Sequence, residues 1–362
     1  MSYKVLLPQP ILPEGYAYLR DRGYEVVDGR GFTEDDIIAD IADCDAMIVR
    51  TAKITGKILD AAPKLKIIAR HGAGYDGVDL EGARRNKVLV TTAGGANAIS
   101  VAELAIFYML YCSRRFKAVM AHCKEDYRYA KMGIQKTELE GKTLGLIGTG
   151  NIGKLVAKKA AYGFDMKVLA YDPFAREVPE YIQLVEDRDI IFKESDYVSL
   201  HVPATKETTH SVSDREFDMM KETAFLINTA RGAIVDEPAL IRALEAKKIA
   251  GAGLDTVEQE PFDLSNPLLD MESVLVAPHI GGATREASTR SSVACAEAID
   301  DYFSGRTPKF IVPELRDMVK YFSSFSLKQH SSGKQWPGIY RTAACRFRLR
   351  LPNNFVAEDE RN

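Results

Sequence analysis

Cysteine is scarce in this sequence and poorly placed for cross-linking or metal binding. The 362 residues hold five, Cys44, Cys112, Cys123, Cys295 and Cys345, an odd number, far apart and never spaced as Cys-x-x-Cys. This argues against a disulfide framework and a thiolate zinc site, and no metal is expected. It suits a reduced, cytoplasmic protein whose thiols pack as small apolar side chains. Long apolar runs are missing too. The opening MSYKVLLPQPILPEG is broken by prolines and polar at its flanks, and no run approaches the roughly 18 residues of a membrane span. Neither charge sign dominates, with 48 Lys and Arg against 51 Asp and Glu and a net charge of -3. There is no broad basic field to draw in nucleic acid or anionic lipid. No repeat of solenoid period is visible. What remains is a globular protein with a small-molecule partner.

A chain of 362 residues that is 46% hydrophobic suggests two domains with cores of ordinary size. From residue 4 short apolar runs (KVLLP, YEVV, AMIVRT, KIIARHGAG, VLVTT) alternate with amphipathic stretches such as TEDDIIADIADC and GKILDAAPKL. The runs are continuous, as in parallel strands covered on both faces, so residues 1–99 read as one α/β domain. Residues 100–125 predict one unbroken helix, opened by Ser100 with Glu103 as its capping-box partner. A second series then offers six strands: KTLGLIGTG, KVLAYDP, DYVSLHVP, AFLINTARG, IAGAGLDTV and SVLVAPHIG. TREASTRSSVACAEAIDDYFSG reads as a long helix that returns the chain to the first domain. The expected division is therefore 1–99 with 288–320, and 100–287. Residues 321–362 hold the only tryptophan and no sustained period. They read as an appendage, either a poorly ordered end or, over RFRLRL, an edge strand or docking segment.

GLIGTGNIGK, residues 145–154, gains meaning from its context. A strand precedes the glycines and a helix follows, which a dinucleotide turn needs. Gly148 permits the tight turn, Gly150 lets a pyrophosphate approach the backbone, and Gly153 lets helix pack on strand. Asn151 and Ile152 begin the helix, whose free amides suit phosphate. The next strand ends in Asp172, 19 residues after Gly153, where a carboxylate takes ribose hydroxyls and repels a 2′-phosphate. NAD is expected over NADP, with Arg176 as the nearest residue favouring the latter. Three other strand ends offer Arg231, Glu260 and His279. Singly, these read as a surface ion pair, a solvated carboxylate and a structural histidine. Around a nicotinamide they form a working set: an imidazole to move a proton, a carboxylate to fix its tautomer, and a guanidinium fork for a 2-keto acid.

These segments, with SLHVPAT, NTARGAIVDEPAL, GAGLDTVEQEP and APHIGGAT, resemble the D-isomer-specific 2-hydroxyacid dehydrogenase family over roughly residues 4–315. The resemblance implies two doubly wound parallel-sheet domains, a Rossmann NAD-binding domain and a flavodoxin-like substrate domain, with a cleft between them. It implies Arg231, Glu260 and His279 as the catalytic trio, and places His201, Thr229 and Asp255 among the cofactor contacts. It also implies that backbone amides of the glycine turn RHGAGYD, residues 70–76, bind the substrate carboxylate, with Arg70, His71, Gly72, Ala73 and Gly74 as the substrate-site residues, and that the chain dimerises through the helix near 100–120. Within the family, AMIVRTAKIT and IIARHGAGYDGVDLEGARRNKVLV look most like the 3-phosphoglycerate dehydrogenases, with Arg50 and Arg70 at the substrate phosphate. A hydroxypyruvate or glyoxylate reductase, and an NADH-sensing corepressor, stay open beside that reading. For His71, substrate contact and a structural place on the hinge face are both open.

Overall fold

The computed structural model describes residues 2–319. Each apolar run in the first hundred residues is a short parallel strand. They are β1 (Lys4–Leu7), β2 (Glu25–Asp28), β3 (Ala46–Val49), β4 (Ile67–Arg70) and β5 (Leu89–Thr92). The sheet order is β2-β1-β3-β4-β5, which reverses direction between β1 and β3. Helices α1 (Pro13–Asp21), α2 (Glu34–Ile41), α3 (Gly56–Asp60) and α4 (Leu80–Arg85) connect them. Their starts are chemically marked. Thr33 and Asp36 form a capping box on α2, and the Asp79 side chain accepts from the Gly82 amide at the start of α4.

The long helix expected over 100–125 is two helices, α5 (Ala98–Ser113) and α6 (Phe116–His122). The break falls at Arg115, whose φ is +49°. Its guanidinium donates to the Ala250 carbonyl and lies 5.0 Å from the Phe225 ring, so a tertiary contact overrides helical continuity. The Ser100 capping box does not form. α5 starts two residues earlier, so Ser100 is inside the helix and shares a hydrogen bond of 2.8 Å with Thr284, while Glu103 pairs with Lys159.

The second sheet has seven strands: β6 (Thr143–Ile147), β7 (Lys167–Tyr171), β8 (Gln183–Leu184), β9 (Tyr197–Leu200), β10 (Phe225–Asn228), β11 (Gly251–Leu254) and β12 (Val274–Val276). The strand beyond the expected six is β8, two residues long, too short to leave an apolar run in the sequence. All pairings are parallel, in the order β12-β11-β10-β9-β6-β7-β8, reversing between β6 and β9. Helices α7 (Asn151–Phe164), α8 (Arg188–Glu194), α9 (Asp214–Met219) and α10 (Glu237–Glu245) cover it together with α5. Leu144, Leu146, Val168 and Ile227 pack toward α5 and α7, and Leu169, Val198, Leu200 and Leu226 toward α8, α9 and α10. Both faces of each strand are therefore apolar, which explains the unbroken runs.

The last helix, α11 (Arg285–Phe303), starts at Thr284, whose side chain accepts from the Ala287 amide. It packs on α1 and β4, and the Leu12 amide donates to Ser292 on it at 3.0 Å. The chain then reaches β5, where Thr92 donates to the Phe310 carbonyl at 2.9 Å and Val312 to the Val90 carbonyl at 3.1 Å. The boundaries expected at 99/100 and 287/288 fall inside α5 and α11. The appendage expected over 321–362 lies outside the described residues. Among the described residues no helix is long and apolar enough to cross a membrane.

Candidate active site

In a parallel sheet every strand leaves by the same edge, so the loops that follow share one face. Gly148 follows β6 with φ +98°, a left-handed conformation that favours glycine, and Gly150 caps α7. A Cβ on Gly153 would lie 2.3 Å from the Gly148 carbonyl oxygen, so the helix sits directly on the turn. At Gly150 the space for a side chain is open. This is a helix N-terminus with backbone access, the form of a phosphate cradle.

Asp172 follows β7 and faces this turn. Its Oδ2 accepts from the Thr149 amide and hydroxyl, both at 2.8 Å, and its Oδ1 from the Phe174 amide at 3.0 Å. Burial opposes ionisation, but these hydrogen bonds outweigh it and hold the carboxyl below its ordinary range. His201 follows β9, its Nε2 sharing a hydrogen bond of 2.9 Å with Ser199. Burial lowers its pKa to about 4, so the ring is neutral. His201 Nδ1 and Thr229 Oγ1 are buried without a hydrogen-bond partner among the described residues. His201 packs against Gly148 and Gly153, and an orphaned ring nitrogen beside an open glycine turn, with a carboxylate at the next strand end, fits a dinucleotide.

Asp255 follows β11 and is 1% exposed. Burial raises its carboxyl against the pull of two amides, Ile280 and Gly281, which donate to its two oxygens at 2.8 Å each. The same bend ties the His279 amide to the Asp255 carbonyl at 2.8 Å and holds His279 at φ +54°. Asp255 therefore shapes the histidine loop. His279 Nδ1 meets Glu260 Oε2 at 2.9 Å, which leaves Nε2 as the ring nitrogen outside the pair. Arg231 follows β10, and its loop touches the one carrying Glu260: a Cβ on Gly232 would lie 1.9 Å from the Val257 carbonyl oxygen. The Arg231 side chain itself turns across to the first sheet. Its Nε and Nη2 donate to Asp76 Oδ2 at 3.2 and 3.1 Å, and its Nη1 to the Ala230 carbonyl at 2.7 Å.

Asp76 closes the turn that follows β4, which carries Arg70 to Gly74. The His71 amide is bound by the Val49 carbonyl and the Gly72 amide by the Arg70 carbonyl, while Ala73 and Gly74 amides bond no group among the described residues. The sequence-derived reading of a carboxylate nest is compatible with those two amides. Arg70 folds under the turn, donating to the His71 carbonyl at 2.7 Å; burial and then the Arg231 guanidinium hold its pKa below the usual value. Arg50 donates to the Pro10 carbonyl at 2.9 Å. The His71 ring points to α11, its Nε2 at 3.0 Å from Ser292 Oγ and 3.2 Å from the Ser288 carbonyl. Burial, then Arg50, lowers its pKa to about 4. Sequence reasoning included Asp76 only as the last residue of the glycine turn, with no role for its side chain, and overlooked the side chains of Thr149 and Asn228. Asn228 shapes the Arg231 loop by accepting from the Ala230 amide and donating to the Arg231 carbonyl, an Asx pattern that a strand-ending asparagine could have signalled.

A carboxylate-backed histidine thus stands on the open edge of a doubly wound sheet whose first turn has the form of a dinucleotide cradle, a class of fold that binds nucleotides at this edge. Comparison with known proteins narrows the class. Residues 106–281 match the family profile described as D-isomer specific 2-hydroxyacid dehydrogenase, NAD binding domain. The D-3-phosphoglycerate dehydrogenase of Archaeoglobus fulgidus is 39% identical over 305 residues, 83% of this chain and 58% of that protein. The hydroxypyruvate reductase of Thermotoga maritima is 39% identical over 300 residues, 82% of this chain and 97% of that protein. Among solved structures, NAD+-bound 3-phosphoglycerate dehydrogenase from Entamoeba histolytica has a TM-score of 0.74 at 31% identity, covering 86% of this chain and 99% of that one. This chain belongs to the D-isomer-specific 2-hydroxyacid dehydrogenase family, and its seven-stranded sheet lies in that family's NAD binding domain. It spans little more than half the length of the Archaeoglobus relative.

Proposed function

We propose that the chain interconverts a D-2-hydroxy acid and its 2-keto acid with NAD. The observation that carries this reading is the His279–Glu260 pair at 2.9 Å beside the loop of Arg231. Gly148, Gly150, Asn151, Ile152 and Gly153 would hold the pyrophosphate, Asp172 the ribose, and His201, Thr229 and Asp255 the remaining contacts; the bound nucleotide supplies or accepts the hydride. Glu260 holds the Nδ1 proton of His279, and Nε2 moves the proton at the substrate O2. Arg231 and the amides of Ala73 and Gly74 orient the substrate carboxylate. We assign residues 1–99 with 288–320 to a substrate lobe and 100–287 to a nucleotide lobe, bounds that lie within four residues of the helix caps Asn97 and Thr284.

The substrate proposed is 3-phosphoglycerate or a close relative, with Arg50 and Arg70 meeting its phosphate. The phosphoglycerate dehydrogenases among the relatives support it. A hydroxypyruvate or glyoxylate reductase is the second reading, favoured by the engagement of both arginines with main-chain carbonyls. NADH consumption with 3-phosphohydroxypyruvate, hydroxypyruvate, glyoxylate, pyruvate and 2-oxoglutarate tests these readings. Arg50→Ala and Arg70→Ala should raise KM selectively for the phosphorylated acid. No oxidation with any of them, while NADH still promotes assembly, would favour a corepressor instead. A homodimer is proposed through α5 and α6, where Phe107, Leu110, Phe116 and Met120 are exposed. The free thiols Cys44, Cys112, Cys123 and Cys295 support a reducing, cytoplasmic setting.

A further inference from the structure

We propose that Asp76 is a positioning residue for Arg231, holding its guanidinium across the cleft so that its outer fork faces the substrate carboxylate. The inference rests on the dehydrogenase reading above. The two groups stand 155 positions apart and come from different sheets, Asp76 after β4 and Arg231 after β10. Of the five N–H donors of a guanidinium, Asp76 takes one on Nε and one on Nη2, and the Ala230 carbonyl takes one on Nη1. Two donors are left, one on each terminal nitrogen, in the plane of the guanidinium and available to a carboxylate.

The surroundings are built for this arrangement. A Cβ on Gly74 would lie 1.8 Å from Arg231 Nη2 and 3.0 Å from Asp76 Oδ2, so the guanidinium rests on the bare backbone of the turn. Arg70 lies close enough to feel both partners, repelled by Arg231 and attracted by Asp76. Asp76 therefore offsets the repulsion of two guanidinium groups brought to one anion site. The side chains of Arg231 and Asp76 are 31% and 61% exposed. A pair so exposed adds little to stability, so its value lies in orientation.

The test uses Asp76→Asn, Asp76→Glu, Arg231→Lys and the double variant D76N/R231K in the full chain. With NADH and whichever of 3-phosphohydroxypyruvate, hydroxypyruvate and glyoxylate the wild type reduces, D76N should lower kcat/KM roughly 10- to 100-fold, the scale of a misplaced catalytic group. KM should rise and kcat fall together, while NADH affinity and thermal midpoint stay at wild-type values. D76E should recover part of the loss, and D76N should cost less than about twofold in the R231K background. Wild-type kinetics in D76N, or multiplicative losses in the double variant, would overturn the proposal. The second arm is oxalate binding to the NADH complex, which requires no turnover. Weaker oxalate binding in D76N supports positioning; equal or tighter binding, as expected if Asp76 only competes for Arg231, overturns it. Absence of turnover in the wild type would count against the dehydrogenase reading, and the oxalate arm would then decide the role of Asp76.

Discussion

His279 and Glu260 show how two ordinary side chains become a unit through geometry. Replacing the imidazole removes the group proposed to move the proton, so His279→Gln should lower kcat about 10²- to 10⁴-fold. Glu260→Gln keeps a hydrogen bond to Nδ1 but not the charge that stabilises an imidazolium. It should lower kcat less than His279→Gln does, and pH–rate profiles of the two variants measure the difference. At Asp172 the carboxylate meets Thr149 at 2.8 Å on the glycine turn itself. Asp172→Ser should raise KM for NADH roughly tenfold, a loss of about 1.4 kcal/mol, and improve NADPH relative to NADH. An unchanged NADH/NADPH ratio would remove Asp172 from the ribose site. These residues could be nominated from the sequence because each follows an apolar run. Asp76 was not, because its partner lies in another sheet and no local pattern distinguishes it from a solvated turn aspartate.

Among the elements, α7 and its turn are the most tightly constrained. Gly153 has no room for a methyl group against the Gly148 carbonyl. Gly153→Ala should destabilise the fold by about 1–3 kcal/mol and weaken NADH binding, read as a lower urea midpoint and a higher dissociation constant. Binding and stability equal to wild type would mean that α7 can slide without disturbing the phosphate cradle. Parallel strands were readable because burial on both faces demands unbroken apolar runs. β8 was missed because its two residues leave no run to see. The break between α5 and α6 was missed because it answers to Ala250 and Phe225, far along the chain, while the local sequence favours a continuous helix.

For the whole molecule, pH is a direct probe of the buried histidines. His71 and His201 both have folded pKa values lowered from the ordinary 6.5 to about 4. Between about 6.5 and about 4 the unfolded chain therefore binds more protons, so stability is fully present above that window and is lost as pH falls through it. Urea midpoints at pH 7, 5.5 and 4.5 should decline in that order, and His201→Gln should flatten part of the decline. A midpoint that holds or rises toward pH 4.5 would contradict the buried, neutral state of both rings.

The linear sequence was sufficient for every strand but β8 and for the glycine turn, and it nominated the carboxylate after β7 and Arg231, Glu260 and His279 as site candidates. Each depends on periodicity or on position at a strand end, which are local properties of the chain. Tertiary structure alone decided that Arg231 lies against Asp76, that the His71 ring turns to α11, and that the seventh strand joins the sheet edge. The first two outcomes depend on which surfaces the two sheets and α11 bring together, about which distance along the chain carries no information, and the third on a strand of two residues that leaves no apolar run.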